Sequence, residues 1–295
     1  MQGDRLHQAD PKPMTDGEFI LLKDLISREV GIILKDTRRP MLEARVSQRL
    51  GVLKLSSYRD YADFILSDPA RNELYVLAAH ITNKETYFFR EKQQFDIFKI
   101  LLADMKEARQ RQGRNCLRFL SLACATGEEA YSMNMVIQES GYFLWDWDIR
   151  VIGIDIDSDA LATARQGVYG LNSFRAPNGG GVGIIERYFT RENEKFALKK
   201  YLQKNVEFRQ GNLLSAKTYT GLSDIDAIFC RNVMIYMGDE TIRTLAAHLY
   251  GVLSDSGSLF VGSSESLTRK TDLFFQEQIH GAIVYRKNPG KKPAG

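Results

Sequence analysis

The residue types best suited to chemistry cluster where apolar runs of the sequence end. Residues 121–129 read Ser-Leu-Ala-Cys-Ala-Thr-Gly-Glu-Glu, at the end of such a run. Enzymes that bind dinucleotides place glycines in this kind of segment, so that a diphosphate can approach the N-terminus of the next helix. Two acids in a first helical turn instead repel a diphosphate and suit a cationic or hydroxyl-bearing ligand. The spacing of Thr126 and Glu129 predicts a capping box, which leaves Glu128 to face the ligand crevice.

A second acidic segment follows the next apolar run. Residues 153–157 read Gly-Ile-Asp-Ile-Asp. An acid at the end of the second strand of a nucleotide-binding α/β domain accepts hydrogen bonds from ribose hydroxyls. We therefore interpret Asp155 as a ribose ligand and expect Asp157 or Ser158 to cap the following helix.

Side chains typical of metal sites are sparse in this chain. The three cysteines form no Cys-x-x-Cys pair, and the four histidines share no ligand spacing. The pattern predicts neither a disulfide framework nor a metal site.

Two kinds of periodicity predict the elements that position these residues. From Thr15 to about Phe89, apolar residues recur at three- and four-residue spacing, which predicts helices, and another helix is predicted over 95–112. From residue 117 onward, apolar runs alternate with helical patterns, which predicts an α/β domain with a parallel sheet and helices on both faces. The span 167–204 is too long for an ordinary connection and predicts a small inserted subdomain. Strands are predicted at 117–122, 149–156, 206–208, 225–230, 258–262 and 282–286.

Positive charge is concentrated in the first part of the chain. Residues 35–54 hold six basic side chains against two acidic ones, whereas the residues from 119 onward have a net charge of −1. On a helical wheel Arg38, Arg45 and Arg49 lie within about 40° of one another. They form either a solvated flank or a docking surface for an acidic partner. No aromatic residues alternate with them, so nucleic acid is not the expected partner.

The composition excludes several protein classes. The 295 residues are 44% hydrophobic and 26% charged, with a formal net charge of +3, as in ordinary globular domains, and the length favours two domains. No apolar run approaches the ~20 residues that span a bilayer, and the first residues lack the apolar core of a signal peptide. We expect a cytoplasmic protein without membrane insertion, with a flexible tail at 1–14.

Five segments, in order along the chain, resemble one protein family. They are Ile-Thr-Asn-Lys-Glu-Thr-Tyr-Phe-Phe-Arg at 81–90, Ala-Thr-Gly-Glu-Glu-Ala-Tyr-Ser at 125–132, Asp-Ile-Asp at 155–157, Gly-Asn-Leu-Leu at 211–214 and Phe-Cys-Arg-Asn-Val-Met-Ile-Tyr at 229–236. The chain resembles the CheR family, the chemotaxis methyltransferases that esterify receptor glutamates with S-adenosylmethionine. The resemblance covers residues 15–287, and the order of the five motifs is what makes it specific.

The resemblance implies a role for each matching residue. The methionine part of the cofactor is assigned to Thr86, Arg90 and Glu128, the ribose to Asp155, the adenine to Asn212 and Leu213, and the pocket beneath the sulfonium to Asn232 and Val233. Tyr236 lies near the transferring methyl group in this assignment, and Tyr236 and Arg90 are the candidate catalytic residues. Many family members have asparagine two residues before the threonine, where this chain has Lys84. A shift by one residue assigns that contact to Asn83 instead, so both remain candidates.

The resemblance also implies the architecture and the partners. A helical N-terminal domain at 15–90 and a linker helix at 91–115 precede a Rossmann-like methyltransferase domain at 116–287, with a β subdomain inserted at 167–204 and a tail from 288. The implied product is S-adenosylhomocysteine and the implied partner is the cytoplasmic helical region of methyl-accepting chemoreceptors, contacted by Arg38, Arg45 and Arg49. The inserted subdomain can hold a receptor C-terminal tail peptide, and we expect a monomer.

Three other functions remain as alternatives. The same chemistry could serve a receptor of a non-flagellar signalling array, or the chain could be a non-catalytic adaptor that binds S-adenosylmethionine. A nicotinamide-dependent oxidoreductase is disfavoured, because the glycines of the first turn are missing and two acids follow them.

Overall fold

The computed structural model describes residues 13–69, 71–143, 145–175 and 181–293. The chain divides into two compact units, residues 1–83 and 84–295. Apart from its last two residues, the tail predicted at 1–14 lies outside the described residues.

The first unit is helical, as predicted. Its helices are α1 (Asp16–Val30), α2 (Arg39–Leu53), α3 (Tyr58–Ser67) and α4 (Asn72–Ile81). Thr15 and Glu18 form a capping box at the start of α1, and Gly31 ends that helix in the left-handed conformation at φ 78°. The apolar faces of the helices meet in a common core that includes Leu22, Leu42 and Leu77, all fully buried.

The second unit contains the α/β domain. Its helices are α5 (Lys92–Arg111), α6 (Glu128–Ser140), α7 (Ser158–Gln166), α8 (Gly181–Tyr188), α9 (Lys200–Gln203) and α10 (Asp239–Val252). Its strands are β1 (Cys116–Leu122), β2 (Asp148–Asp155), β3 (Val168–Tyr169), β4 (Phe189–Glu192), β5 (Lys195–Leu198), β6 (Val206–Gln210), β7 (Ile225–Cys230), β8 (Leu253–Val261), β9 (Phe274–Ile279) and β10 (Ala282–Lys287).

Within the described residues, seven strands form one sheet in the order β6-β2-β1-β7-β8-β10-β9. The first five of these run parallel, so their carboxyl ends share one edge. The expectation of a parallel sheet is wrong for β10, which pairs antiparallel with both β8 and β9. Strand β9, which the sequence pattern does not predict, therefore runs in the same direction as the first five strands. His280 and Gly281 turn this hairpin with φ values of 45° and 85°, and a two-residue turn with both φ values positive suits the twist of a hairpin.

Alternating side chains of the central strands bury both faces of the sheet. On β7, Ala227 and Phe229 point into one apolar cluster, and Ile228 and Cys230 into the other, as the period of two requires. The helix predicted over 95–112 is α5, whose Phe98 packs edge-on against Phe119 and Phe229. By these contacts α5 is part of the second unit.

The insertion predicted between β2 and β6 is confirmed as a β subdomain. Its strands form a small antiparallel sheet in the order β3-β5-β4. An aromatic cluster of Phe88, Tyr169, Phe174 and Phe189 joins this sheet to the segment that opens the second unit, with ring centroids 4.9–6.1 Å apart.

Candidate active site

The loop after β1 has an unusual backbone. Ala123, Ala125 and Gly127 have φ values of 55°, 46° and 91°, and each left-handed residue that is not glycine costs about 1–3 kcal/mol. Strained backbone of this kind concentrates at binding and catalytic sites.

Asp155 supports this loop from the end of β2. Its Oδ2 accepts a hydrogen bond from the amide of Ala125 at 2.7 Å, and its Oδ1 accepts one from the amide of Asp157 at 2.9 Å. Burial raises the pKa of this carboxyl, although the two amides oppose the change. A carboxylate has about four acceptor positions, so Asp155 keeps acceptor capacity for ligand hydroxyls.

Asp157 serves two structural purposes beside Asp155. It caps α7 as predicted, because its Oδ1 accepts hydrogen bonds from the amides of Asp159 and Ala160. Its other oxygen forms an ion pair with Lys84. Burial raises the pKa of Asp157, but Lys84 and the capping amides outweigh it and hold the pKa below the usual value. The structure thus places Lys84 on Asp157, while Asn83 is the last residue of the first unit and is exposed.

Glu128 is buried at the start of α6. Its two oxygens accept hydrogen bonds from the hydroxyls of Thr126, at 2.6 Å, and Ser173, at 2.8 Å. Burial raises its pKa, and the two hydroxyls oppose the change. The predicted capping box of Thr126 with Glu129 is wrong, because Gly127 stands at the cap and Thr126 binds Glu128.

The adenine candidates lie at the end of β6. The amide of Gly211 donates to the carbonyl of Asp155 at 2.9 Å, which brings this turn next to the ribose candidate. Asn212 and Leu213 are buried, and Asn212 accepts a hydrogen bond from the amide of Leu214 at 3.0 Å. This Asx turn fixes the backbone that presents the two residues.

Aromatic residues anchor the segment that carries Thr86 and Arg90. The amide of Phe89 donates to the hydroxyl of Ser132 on α6 at 3.0 Å, and the amide of Phe88 donates to the carbonyl of Ser173 at 2.8 Å. Thr86 and Arg90 are half-buried. The guanidinium of Arg90 donates to the carbonyl of Glu85 at 2.7 Å.

A buried charge network lies beneath the segment after β7. Arg231 pairs with Glu129 at 3.2 Å and with Glu91 at 3.4 Å, and it donates to the carbonyl of Arg90 at 2.6 Å. Burial raises the pKa of Glu129, and Arg231 is the strongest opposing influence. Arg231 therefore ties the segment of Arg90 to the segment that holds Asn232.

The candidates after β7 lie in a tight turn. Asn232 has a φ of 57°, and Asn232, Val233 and Tyr236 are half-buried. The carboxylate of Glu265 accepts hydrogen bonds from the amides of Asn232 and Ile235. Within the described residues, the hydroxyl of Tyr236 forms no hydrogen bond, so it is available to a ligand.

Five residues of this site were assigned no role from the sequence: Glu91, Ser132, Ser173, Arg231 and Glu265. Glu265 could have been found from the sequence, because it follows the end of β8 as Asp155 ends β2. Ser132 and Ser173 carry no comparable local signal, since hydroxyls are common in helices and loops.

The three arginines predicted to bind the substrate differ in the structure of the first unit. Arg45 is exposed on α2, and Arg38 is exposed just before that helix begins. Arg49 instead makes two 2.8 Å hydrogen bonds to the carboxylate of Glu73, which also accepts one from Tyr61. Arg49 is therefore part of the internal support of the helices.

The described residues lack two features that mark other classes of protein. No three His, Cys, Asp or Glu residues in the described part come together as a metal-binding group. Of the helices in the described ranges, none is both long and apolar enough to cross a bilayer.

The strand order defines the class of the second unit. A parallel sheet with one antiparallel strand beside its last parallel member is an open α/β sheet, and acids and amides line its carboxyl edge, where ligands of such sheets bind. Two family models match the chain: the all-alpha domain of the CheR methyltransferases over residues 17–82, and their S-adenosylmethionine-binding domain over residues 84–283. The chain belongs to the CheR methyltransferase family, and its second unit binds S-adenosylmethionine.

Individual relatives match over nearly their whole length. Chemotaxis protein methyltransferase 2 of Vibrio cholerae is 31% identical over 277 residues, which is 93% of this chain and 94% of the relative. Chemotaxis protein methyltransferase 2 of Pseudomonas aeruginosa is 35% identical over 267 residues, 88% and 90% of the two chains. The chemotaxis protein methyltransferase of Escherichia coli is 32% identical over 287 residues, 95% and 94% of the two chains.

Proposed function

We propose that this methyltransferase esterifies glutamate side chains on the cytoplasmic helices of chemoreceptors. The observation that carries the proposal is the meeting of Asp155, Glu128 and the turn of Asn232 to Tyr236 at one edge of the sheet, in a chain whose two units both match the CheR family. The cytoplasm is the proposed location, because the receptor helices lie there.

The site fits the cofactor by its chemistry. Asp155 keeps acceptor positions for ribose hydroxyls, and the turn at Asn212 and Leu213 is proposed to hold the adenine. Glu128, Thr86 and Arg90 are proposed to hold the methionine part, with Lys84 acting through Asp157. When bound, S-adenosylmethionine supplies a methyl group on a positively charged sulfonium.

The chain's own residues have a limited chemical task in this reaction. A substrate glutamate is ionised at pH 7 and needs no general base. Opposite charges cancel as the methyl group moves, which a poorly hydrated pocket favours. Tyr236 is proposed to orient the attacking oxygen with its hydroxyl, and Arg90 to hold the reacting groups in line.

Substrate recognition is proposed to involve both units. Arg38 and Arg45 present positive charge that suits acidic receptor helices. In the inserted subdomain, β4 forms one edge of the small sheet, where an extended receptor tail could add as a further strand.

Methyl transfer from labelled S-adenosylmethionine to purified receptor cytoplasmic fragments tests the function. We expect incorporated label that mild base releases as methanol, as an ester requires, and none with receptor glutamates changed to glutamine. A panel that includes fragments from non-flagellar arrays separates the two receptor classes. Tight cofactor binding without transfer to any fragment would instead favour a non-catalytic adaptor.

A further inference from the structure

The segment after β7 carries the candidate Tyr236 and is fastened by a residue far along the chain. Glu265 lies in the loop that follows β8, and its Oε2 accepts hydrogen bonds from the amides of Asn232 and Gly262, both at 2.7 Å. Its Oε1 accepts one from the amide of Ile235 at 3.2 Å. A single carboxylate thus holds two amides of the turn that leads to Tyr236.

The sheet register brings these two loops together. Cys230, the last residue of β7, is paired with Val261, the last residue of β8. Gly262 then leaves room for the carboxylate, because a Cβ at that position would lie 2.6 Å from the Glu265 Oε2 and 3.0 Å from the Asn232 amide nitrogen. Any larger residue at position 262 would displace the Glu265 carboxylate from the Asn232 amide.

The turn begins with a left-handed backbone that several contacts hold in place. Asn232 has a φ of 57°, a conformation that asparagine adopts more readily than most residues with a side chain. From the other side, the Nδ2 of Asn232 donates weakly to Glu91 at 3.4 Å. Arg231 fixes the start of the turn, with its guanidinium over the rings of Phe95 and Phe229.

We propose that Glu265 is a positioning residue for methyl transfer, which holds the turn of Asn232 to Tyr236 in the geometry that catalysis needs. The proposal rests on the proposed function, since it assigns the reaction to this turn. Glu265 is assigned a positioning role and not a catalytic one, because three amides occupy most of the about four acceptor positions of its carboxylate.

Glutamine at position 265 tests this role with almost no change in shape. A carboxylate accepts hydrogen bonds at both oxygens, whereas the amide group of glutamine presents a donor on one side. In Glu265→Gln, at least one amide of the turn therefore meets another donor. Glu277→Gln is the matched control, since Glu277 is exposed on β9 and, within the described residues, its side chain bonds only to that of Arg286, at 2.9 Å.

Hydrogen exchange provides a readout that does not depend on activity. We expect peptides covering residues 231–237 to exchange at least tenfold faster in Glu265→Gln, and to be unchanged in Glu277→Gln. Glu265→Asp keeps the charge but shortens the reach, so it should lie between the wild type and the glutamine variant. Unchanged exchange in both Glu265 variants would contradict the proposal that Glu265 holds the turn of Asn232 to Tyr236.

A double-mutant cycle with Tyr236→Phe separates positioning from general stability. We expect Glu265→Gln to lower the methylation rate at saturating cofactor about tenfold, and adding Tyr236→Phe to lower it less than twofold further, because both changes disable the same group. Fully multiplicative effects would show that Glu265 acts elsewhere and would overturn the proposal. If the wild type methylates no receptor while exchange responds as expected, Glu265 still holds the turn and the proposed function fails.

Discussion

Asp155 combines two tasks at the residue scale, since it supports the loop after β1 and is the proposed ribose ligand. Asp155→Ala should weaken S-adenosylhomocysteine binding about ten- to a hundredfold, because a hydrogen bond to a charged acceptor contributes roughly 1.5–3 kcal/mol. Calorimetric titration measures this directly, with circular dichroism to check that the variant is folded. Unaltered affinity would exclude the ribose assignment.

Because Asp155 must be ionised to accept hydrogen bonds from the ribose, the affinity for S-adenosylhomocysteine should fall as the pH is lowered. The ionised carboxylate accepts from ribose hydroxyls, so affinity is present above its pKa and is lost as the pH falls through it. Burial raises that pKa, so the loss should begin above the pH near 3.9 at which ordinary aspartates titrate. Asp155→Asn should bind weakly and lack this component of the pH profile. Parallel profiles for the two proteins would contradict the prediction.

Tyr236 is the residue at which the catalytic and packing interpretations differ most. Tyr236→Phe removes only the hydroxyl, so cofactor affinity and melting temperature should stay nearly constant while the methylation rate falls about tenfold, equivalent to ~1.4 kcal/mol of barrier. Single-turnover assays with a receptor fragment measure the rate. A fully active Phe variant combined with an unstable Tyr236→Ala variant would assign the residue to packing.

At the scale of elements, the arginines at helix α2 differ in role. Arg38 and Arg45 are proposed to contact the receptor, whereas Arg49 stabilises the helices of the first unit. Changing Arg38 and Arg45 together to glutamate should raise the apparent Michaelis constant for the receptor and leave cofactor affinity unchanged, because both residues are exposed on the first unit. The effect should shrink at high salt, which screens exposed charges. If the double variant and the wild type have the same apparent Michaelis constant for the receptor at every salt concentration, the two arginines are solvated side chains that do not contact the receptor.

Arg49 should behave differently although it belongs to the same helix. Breaking a buried ion pair costs about 3–5 kcal/mol, and the partial exposure of the Arg49 side chain places its pair with Glu73 near or below the lower limit. Arg49→Glu should therefore lower the denaturation midpoint of the first unit by urea unfolding. If Arg49→Glu is as stable as the wild type, Arg49 does not support the helices and is again a candidate for contact with the receptor.

For the whole molecule, cofactor binding and stability are linked by mass action. At a concentration of a hundred times its Kd, S-adenosylhomocysteine should stabilise the binding unit by about 2.7 kcal/mol, which corresponds to a rise in Tm of roughly 5–10 °C for a domain of this size. Scanning calorimetry measures the shift. Asp155→Ala should show a much smaller rise in Tm at the same ligand concentration. An equal rise would show that the ligand does not bind next to Asp155 at the carboxyl edge of the sheet.

The sequence patterns predicted six of the ten strands in the described residues and the main ligand candidates. The bounds of β7 and α10 follow from local apolar patterns, because periodicity within a segment depends only on neighbouring residues. Asp155 was identified because it stands at the end of a strand, where ligands of open α/β sheets bind. Asn232 was assigned through the resemblance to the CheR family.

Which partners hold those residues in place depends on the tertiary structure. Glu265 bonds to Asn232 across 33 positions, and Ser173 bonds to Glu128 across 45. Such pairs depend on strand order and register, which local patterns do not specify. The same reason explains why the sequence placed β10 in a parallel sheet and grouped Arg49 with the exposed arginines: the antiparallel pairing of β10 and the carboxylate of Glu73 arise from contacts between separate segments.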